Sequence, residues 1–93
     1  MEYDRGIAIT MAEVKAVAHR RARIRSPHDL GLAIQQARLA LEWTQRDLAG
    51  RVGYPQSVIS DMEGGKHTRY AERLFDLLSE CGVSLTAEWD DEE

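Results

Sequence analysis

A glycine between two short amphipathic segments is the feature that most constrains the fold of this chain. Residues 43–62 read WTQRDLAGRVGYPQSVISDM, with apolar residues at helical spacing on both sides of Gly53. Glycine adopts the left-handed conformation that ends a helix without the clash that a Cβ atom suffers there. Thr44, followed by Asp47 three residues later, predicts a capping box at the start of the first segment. The stretch therefore predicts two short helices joined by a tight turn.

Signals for further helices stand on both sides of this pair. Ser26 precedes Pro27, which gives a hydroxyl cap followed by a proline at the first helical position. Thr10, with Glu13 three residues later, resembles another capping box before a run without proline or glycine. The predicted helices cover residues 11–24, Pro27 to about Glu42, Gln45 to Val52, Gln56 to Glu63, and a last helix that Thr68 opens and Gly82 stops.

The C-terminal segment VSLTAEW, residues 83–89, alternates apolar and polar side chains with a period of two. This alternation predicts a half-buried β-strand. Within the chain, its only apparent partner is the early segment YDRGIAI. The strand therefore pairs with a second subunit, or it packs within its own monomer or frays. The fold class predicted is all-α, with four to five helices and one short C-terminal β-strand.

Composition limits the chain to one small domain. With 93 residues and 43% hydrophobic content it can bury a single modest core, which a partner subunit would reinforce.

No apolar run approaches a membrane span and the start lacks a signal-peptide layout, so we expect a cytoplasmic protein with no membrane contact. Cys81 is alone, which leaves it a small hydrophobe or, alternatively, a reactive thiol. The three histidines show no metal-ligand spacing, so we expect no metal and no cofactor.

The charge of the chain is unevenly distributed. The formal net charge is −4, but five acidic residues lie in the final segment EWDDEE, without which the balance is +1. The segment HRRARIR at 19–25 carries four arginines and no acid. This basic run either contacts phosphates or forms a solvated helix face, and the acidic end is a disordered tail, a docking segment or a solubilising tail.

In the central pair of helices, Ala49 is small where the two helices must approach, Gly53 turns the chain, and Ile59 anchors the second helix. With these residues the pair resembles the helix-turn-helix of the Xre (Cro/lambda-repressor-like) family. The resemblance covers roughly Leu30 to Gly82. The alternative is a helical bundle with an incidental glycine turn.

The resemblance implies a DNA-binding role for specific residues. The helix from Gln56 to Glu63 would lie in the major groove as the recognition helix, and Arg38 and Glu63 would form a structural ion pair. Asp61 departs from the basic or amide residue common there, so it either reads cytosine, disfavours wrong sequences, or bonds Arg51 or Arg69. The base-contacting residues implied are Gln56, Ser57, Ser60 and Asp61, and the phosphate-contacting residues are Thr44, Gln45, Lys66 and His67.

A helix-turn-helix unit reads only a few base pairs, so a homodimer on double-stranded operator DNA is expected. The predicted strand would supply the dimer contacts through Val83, Leu85, Ala87 and Trp89. The corresponding domain plan is an N-terminal extension at 1–25, the helix-turn-helix domain at 26–82, the dimerising strand at 83–89 and the acidic tail at 90–93.

A small Xre domain followed by such a strand also resembles a HipB-type antitoxin. The resemblance implies a repressor of its own operon that neutralises a HipA-like serine/threonine kinase toxin. The alternatives are an Xre-type regulator with no toxin partner and a protein-interaction domain that has lost DNA binding. No enzyme is expected, because the sequence has no glycine-rich phosphate loop after a strand and no nucleophile placed beside a base.

Overall fold

The computed structural model describes residues 17–92 as four helices and a two-stranded antiparallel sheet. The chain is therefore mostly helical, as expected, but the described part has a second strand that the sequence did not indicate. The elements in chain order are β1 (Val17–Ile24), α1 (Pro27–Ala40), α2 (Gln45–Val52), α3 (Gln56–Glu63), α4 (Arg69–Glu80) and β2 (Leu85–Glu92).

The helix predicted at 11–24 is wrong over residues 17–24, which form strand β1. β1 pairs antiparallel with β2, from Val17 opposite Glu92 to Ile24 opposite Leu85. Helix propensity is a weak preference that tertiary contacts override, and here the contacts are cross-strand charge pairs and the burial of Ile24. Residues 11–16 and the segment YDRGIAI lie outside the described residues.

The C-terminal strand exists, but it is shifted from the predicted 83–89 to Leu85–Glu92. Val83 precedes it in the turn, where its backbone N–H donates to the carbonyl of Leu78 at 2.8 Å. The acidic residues from Asp90 to Glu92 are therefore part of a strand and not of a disordered tail. Asp90 contacts His19 and Asp91 contacts Arg20 across the sheet, so opposite charges favour the pairing of these two segments.

Helix α1 begins as predicted, with the Ser26 hydroxyl accepting from the backbone N–H of Asp29 and with proline in the first turn. It ends at Ala40, two residues before the predicted end. Glu42 has a left-handed φ of 62°, and the backbone N–H of Trp43 donates to the carbonyl of Arg38 at 3.1 Å. This is the hydrogen-bond pattern of a Schellman C-cap, and a glutamate takes the place usually given to glycine.

The helix pair α2 and α3 forms as the glycine turn predicted. Thr44 and Asp47 make both bonds of the capping box, and Gly53 ends α2 with a φ of 79°. Ala49 and Ile59, 5% and 6% exposed, lie in the contact between the two helices and the body. The helix-turn-helix arrangement is therefore confirmed at the three positions that indicated it.

Gly31 allows α1 to pass close to the end of α3. A Cβ atom at this position would overlap the carbonyl oxygen of Met62 and press against that of Glu63. The close approach brings Arg38 of α1 within reach of Glu63 of α3. Among residues 17–92, no helix is long and apolar enough to cross a membrane.

Candidate nucleic-acid interface

Helix α3 has a buried side and an exposed polar side. Ile59 and Glu63 are buried, whereas the four residues predicted to contact bases are all exposed: Gln56, Ser57, Ser60 and Asp61. All four therefore lie on solvent-facing parts of a single eight-residue helix. A helix of this kind can enter the major groove of B-form DNA, which is wide enough for it.

Pro55 sets the start of α3. It occupies the N-cap position in an extended conformation, with φ −61° and no side-chain hydrogen bond to the helix. Its carbonyl accepts from the backbone N–H of Val58 at 3.0 Å. The fixed φ of proline thus replaces the polar cap that Ser or Thr would give.

Asp61 has a partner other than the two that the sequence suggested. Its carboxylate lies 3.6 Å from the ammonium of Lys66, in the loop after α3, and not with Arg51 or Arg69. Arg51 instead lies over the Trp43 ring, 4.0 Å from the centroid. Because Asp61 and Lys66 are both exposed, their ion pair leaves each side chain accessible to a ligand.

An ion pair between α1 and α3 holds α3 in place. The Arg38 guanidinium donates to both carboxylate oxygens of Glu63, at 2.6 and 2.9 Å, and to the carbonyl of Trp43 at 2.7 Å. The two side chains are only 8% and 2% exposed. The hydrogen bonds between Arg38 and Glu63 lower the pKa of Glu63 and raise the pKa of Arg38, so both groups stay charged. The predicted structural pair is confirmed.

Thr44 and Gln45 lie at the start of α2. The Thr44 hydroxyl accepts from the backbone N–H of Asp47 at 3.0 Å, and hydrogen bonding to Thr44 lowers the pKa of Asp47. The Gln45 amide donates to Glu63 at 3.0 Å, which links α2 to the ion pair. A primary amide carries two N–H groups, so one donor of Gln45 remains after this bond.

Lys66 and His67 lie in the loop between α3 and α4. The His67 ring contacts the carbonyl of Gly65 at 2.7 Å and the carboxylate of Glu72 at 3.0 Å. The bond to Gly65 is the larger cause and the bond to Glu72 the smaller cause of a raised pKa of His67. The bond to Glu72 ties the loop to the first turn of α4.

One interpretation placed the basic run on a solvated helix face, but residues 17–24 form strand β1. His19 contacts Asp90 and Glu88, Arg20 contacts Asp91 and Arg21 contacts Glu88. His19, Arg20 and Arg21 are therefore paired with the acidic segment of β2, whereas the Arg23 guanidinium donates to the Ser84 hydroxyl at 3.1 Å.

The residues predicted to form a dimer contact lie on or beside β2, whereas the predicted base contacts lie on α3. Leu85, Ala87 and Trp89 stand opposite Ile24, Ala22 and Arg20 of the same chain. Val83 precedes the strand. One edge of β2 is thus occupied by β1.

Arg46 is a further candidate for a phosphate contact that the sequence analysis did not include. It follows Gln45 in the first turn of α2, its side chain is exposed, and it makes no ion pair within the described range 17–92. A cation adjoining the predicted phosphate-binding glutamine was the signal that could have identified it.

Comparison with known proteins identifies the family of this arrangement. A protein-family model described as a helix-turn-helix domain matches residues 29–89, well over half of the chain. No curated protein and no solved structure matches this chain. Among residues 17–92, no cluster of three or more potential metal ligands occurs. The chain belongs to the helix-turn-helix domain family, of the Xre/Cro-like type, whose members are DNA-binding regulators.

Proposed function

We propose that this protein is a sequence-specific transcriptional repressor that inserts α3 into the major groove of its operator. The observation that carries the proposal is the exposed polar side of α3, which is held from behind by the Arg38–Glu63 ion pair. A rigid support reduces the ordering cost on binding, so the polar side chains are presented ready to meet base edges.

The side chains at the start of α3 suit base recognition. The Gln56 amide matches the donor and acceptor of an adenine edge, and the Ser57 hydroxyl can bond a base or a phosphate. Ser60 and Asp61 lie one turn further along. Asp61 would accept from a cytosine amino group or disfavour other bases, with Lys66 offsetting its repulsion from the backbone.

Phosphates would be held on both sides of α3. At the start of α2, the Thr44 hydroxyl, the remaining N–H of Gln45 and the Arg46 guanidinium are donors close together in sequence. In the loop after α3, Lys66 and His67 supply the second group, and a raised pKa favours the charged form of His67. Such contacts fix the register of a protein on DNA without reading its sequence.

A repressor of this size would bind as a homodimer on two half-sites about one helical turn apart. The exposed edge of β2, with Val83, Leu85, Ala87 and Trp89 on or beside it, is the surface that the alternating pattern of the segment favours. In such a dimer, the β1–β2 pair of each subunit would extend into a four-stranded sheet.

A second candidate function is that of a HipB-type antitoxin with a HipA-like kinase as its partner. It is favoured by the strand that follows the last helix of a small helix-turn-helix domain. The pairing of β2 with β1 reduces the weight of this feature, because the strand already has a partner in its own chain. A kinase encoded beside this gene that co-purifies with the protein and is inhibited by it would establish the antitoxin role.

The experiment for the proposed function is a footprint on the DNA upstream of the protein's own coding sequence, with expression of a reporter from the same DNA. Protection of two similar half-sites, together with lower reporter expression, is expected. Uniform weak protection along the fragment would contradict sequence-specific binding.

A further inference from the structure

A cavity of about 200 Å³ lies where the end of β1, the start of β2 and the second half of α4 meet. Ile24, Phe75 and Leu78 form an apolar part of its wall, and they are buried or half-buried. Two arginines and two serines line the same space: Arg23, Arg25, Ser79 and Ser84. The cavity therefore combines an apolar surface with a small group of hydrogen-bond donors, which is the usual composition of a ligand pocket.

The cavity carries positive charge that no described carboxylate compensates. Arg20 and Arg21 each form an ion pair with an acidic residue of β2, whereas neither Arg23 nor Arg25 forms one within residues 17–92. The Asp29 carboxylate accepts from the backbone N–H of Arg25 at 2.8 Å, and not from its guanidinium. None of the described residues that line the cavity is acidic. The cavity therefore favours an anion.

The Arg23 guanidinium is held in place by Ser84. One of its terminal nitrogens donates to the Ser84 hydroxyl at 3.1 Å. A guanidinium has further N–H groups in a planar fork that matches the oxygens of carboxylates and phosphates. Because the Ser84 hydroxyl accepts from Arg23, its own O–H remains available as a donor. Both side chains can therefore donate to the same anionic group.

The charge and the size of the cavity favour a small phosphomonoester. Such a group carries a charge of about −1.5 to −2 near neutral pH, which matches two guanidinium groups better than the single charge of a carboxylate does. The cavity is smaller than the pockets of about 300–1,000 Å³ that hold drug-sized ligands, so only a compact molecule fits. The apolar wall formed by Phe75 and Leu78 suits an apolar or aromatic group attached to the phosphate.

The cavity lies apart from the residues proposed to hold DNA phosphates. Lys66 and His67 precede the first turn of α4, whereas Ser79 lies near its C-terminal end. An α-helix rises about 1.5 Å per residue, so Ser79 lies about 15 Å along α4 from Arg69, where the helix begins. This separation favours a small ligand over the DNA duplex as the occupant of the cavity.

We propose that this cavity binds a small phosphomonoester, with the phosphate held by Arg23, Arg25 and the Ser84 hydroxyl and the organic group packed against Phe75 and Leu78. The bound molecule bridges the β1–β2 sheet and α4, a helix whose residues are all exposed or only half-buried. Its binding therefore stabilises the packing of α4 on the sheet. The proposal goes beyond the proposed repressor function and does not depend on it.

Isothermal titration calorimetry of the full chain with phenyl phosphate tests this site, without DNA, in a phosphate-free buffer of fixed ionic strength. Phenyl phosphate should bind, inorganic phosphate should bind more weakly because it lacks the ring, and phenol should give no measurable heat because it lacks the anion. Arg23→Gln and Arg25→Gln should each raise the Kd of phenyl phosphate about tenfold, because each removes a charge-assisted hydrogen bond. Both variants should keep the wild-type circular dichroism, since both side chains are exposed.

Arg21→Gln is the matched control. It removes the same charge from the same strand, but from a side chain that is paired with Glu88. The Kd of phenyl phosphate should therefore stay within about twofold of the wild-type value, since solvent and salt screen a charge that does not touch the ligand. Arg23→Lys, which keeps the charge but loses the planar fork, should have an affinity between those of the wild type and Arg23→Gln.

Several results would overturn the proposal. The first is the absence of phenyl phosphate binding at millimolar concentrations. The second is an equal loss of affinity in Arg21→Gln and Arg23→Gln, which would indicate attraction by the general charge of the strand. Equal affinities for phenyl phosphate and inorganic phosphate would contradict the apolar wall as part of the site. A lower DNA affinity of Arg23→Gln, measured without phenyl phosphate, would place this arginine in the DNA interface instead. Failure of DNA binding in the footprint would leave the calorimetry unchanged, so the two proposals can fail separately.

Discussion

The Arg38 guanidinium and the Glu63 carboxylate form a two-point ion pair in which the side chains are 8% and 2% exposed. The pair connects α1 to the last residue of α3, and Gln45 of α2 donates to the same carboxylate. Three helices are therefore held by one buried carboxylate. The orientation of the exposed side of α3 depends on this connection.

Removing either charge should destabilise the fold strongly. Arg38→Met leaves a buried carboxylate without its cation, at a cost of about 3–5 kcal/mol in the free energy of unfolding. Glu63→Met leaves the guanidinium with only the carbonyl of Trp43, at a similar cost. The double variant should cost less than the sum of the two, as measured by urea denaturation. Strictly additive losses would show that the two groups do not interact.

Two glycines of α2 and its C-cap should respond oppositely to the same substitution. A Cβ atom at Gly50 or at Gly53 would have no atom of a packed neighbour within 4 Å, so a steric clash is not expected for alanine at either position. Gly53 has a left-handed φ of 79°, whereas Gly50 lies within α2. Gly50→Ala should raise the stability by about 0.5–1 kcal/mol, and Gly53→Ala should lower it by about 1 kcal/mol. Thermal unfolding measures both, and a stabilised Gly53→Ala would exclude the left-handed turn.

The sheet of β1 and β2 should lose stability as the pH rises through the titration of His19. Hydrogen bonds to Asp90, then to Glu88, raise the pKa of this ring above its unfolded value of about 6.5. A raised folded pKa stabilises the protein fully below the unfolded pKa, and the contribution disappears as the pH passes the folded pKa.

His19→Gln should therefore reduce the difference between unfolding free energies measured at about pH 5.5 and about pH 8.5. His67 contributes in the same direction, because its pKa is also raised, so the variant should keep part of the dependence. An unchanged pH dependence in His19→Gln would show that the cross-strand contacts do not form in solution.

The local part of the fold was predictable and the sheet was not. Ser26, Thr44, Gly53 and Thr68 act on backbone groups within four residues, so their positions alone predict where helices begin or end. β1 depends on charges that lie about seventy residues away in the sequence, such as the contact of His19 with Asp90. A helix-favouring composition therefore gave the wrong element at 17–24.

The sequence predicted which positions of α3 are exposed, but it did not predict the contacts between side chains at the candidate site. The exposed side of α3 follows from the helical period, which needs only the sequence. The bond from Gln45 to Glu63 and the pairing of Asp61 with Lys66 depend on how side chains meet after packing. The end of α1 at Ala40 was missed because Glu42 adopts a left-handed conformation that few residues other than glycine take.

Loss of a phosphate contact should change the salt dependence of the DNA affinity. Arg46→Ala or Lys66→Ala should weaken binding about equally for all sequences, and each should reduce the slope of log K against log salt by about 1, because one phosphate is no longer neutralised. Arg51→Ala is the matched control, because this arginine lies over Trp43. A slope that stays at the wild-type value in Arg46→Ala would remove that residue from the interface.

The most direct measurement is the affinity of the purified protein for its upstream DNA relative to a scrambled fragment, for the wild type and for Gln56→Ala/Ser57→Ala, at two salt concentrations. The account predicts that the wild type prefers the upstream DNA and that the double variant loses this preference while keeping the salt-dependent binding common to both fragments. A double variant with the wild-type preference would contradict α3 as the reading helix, and a wild type without any preference would contradict sequence-specific repression.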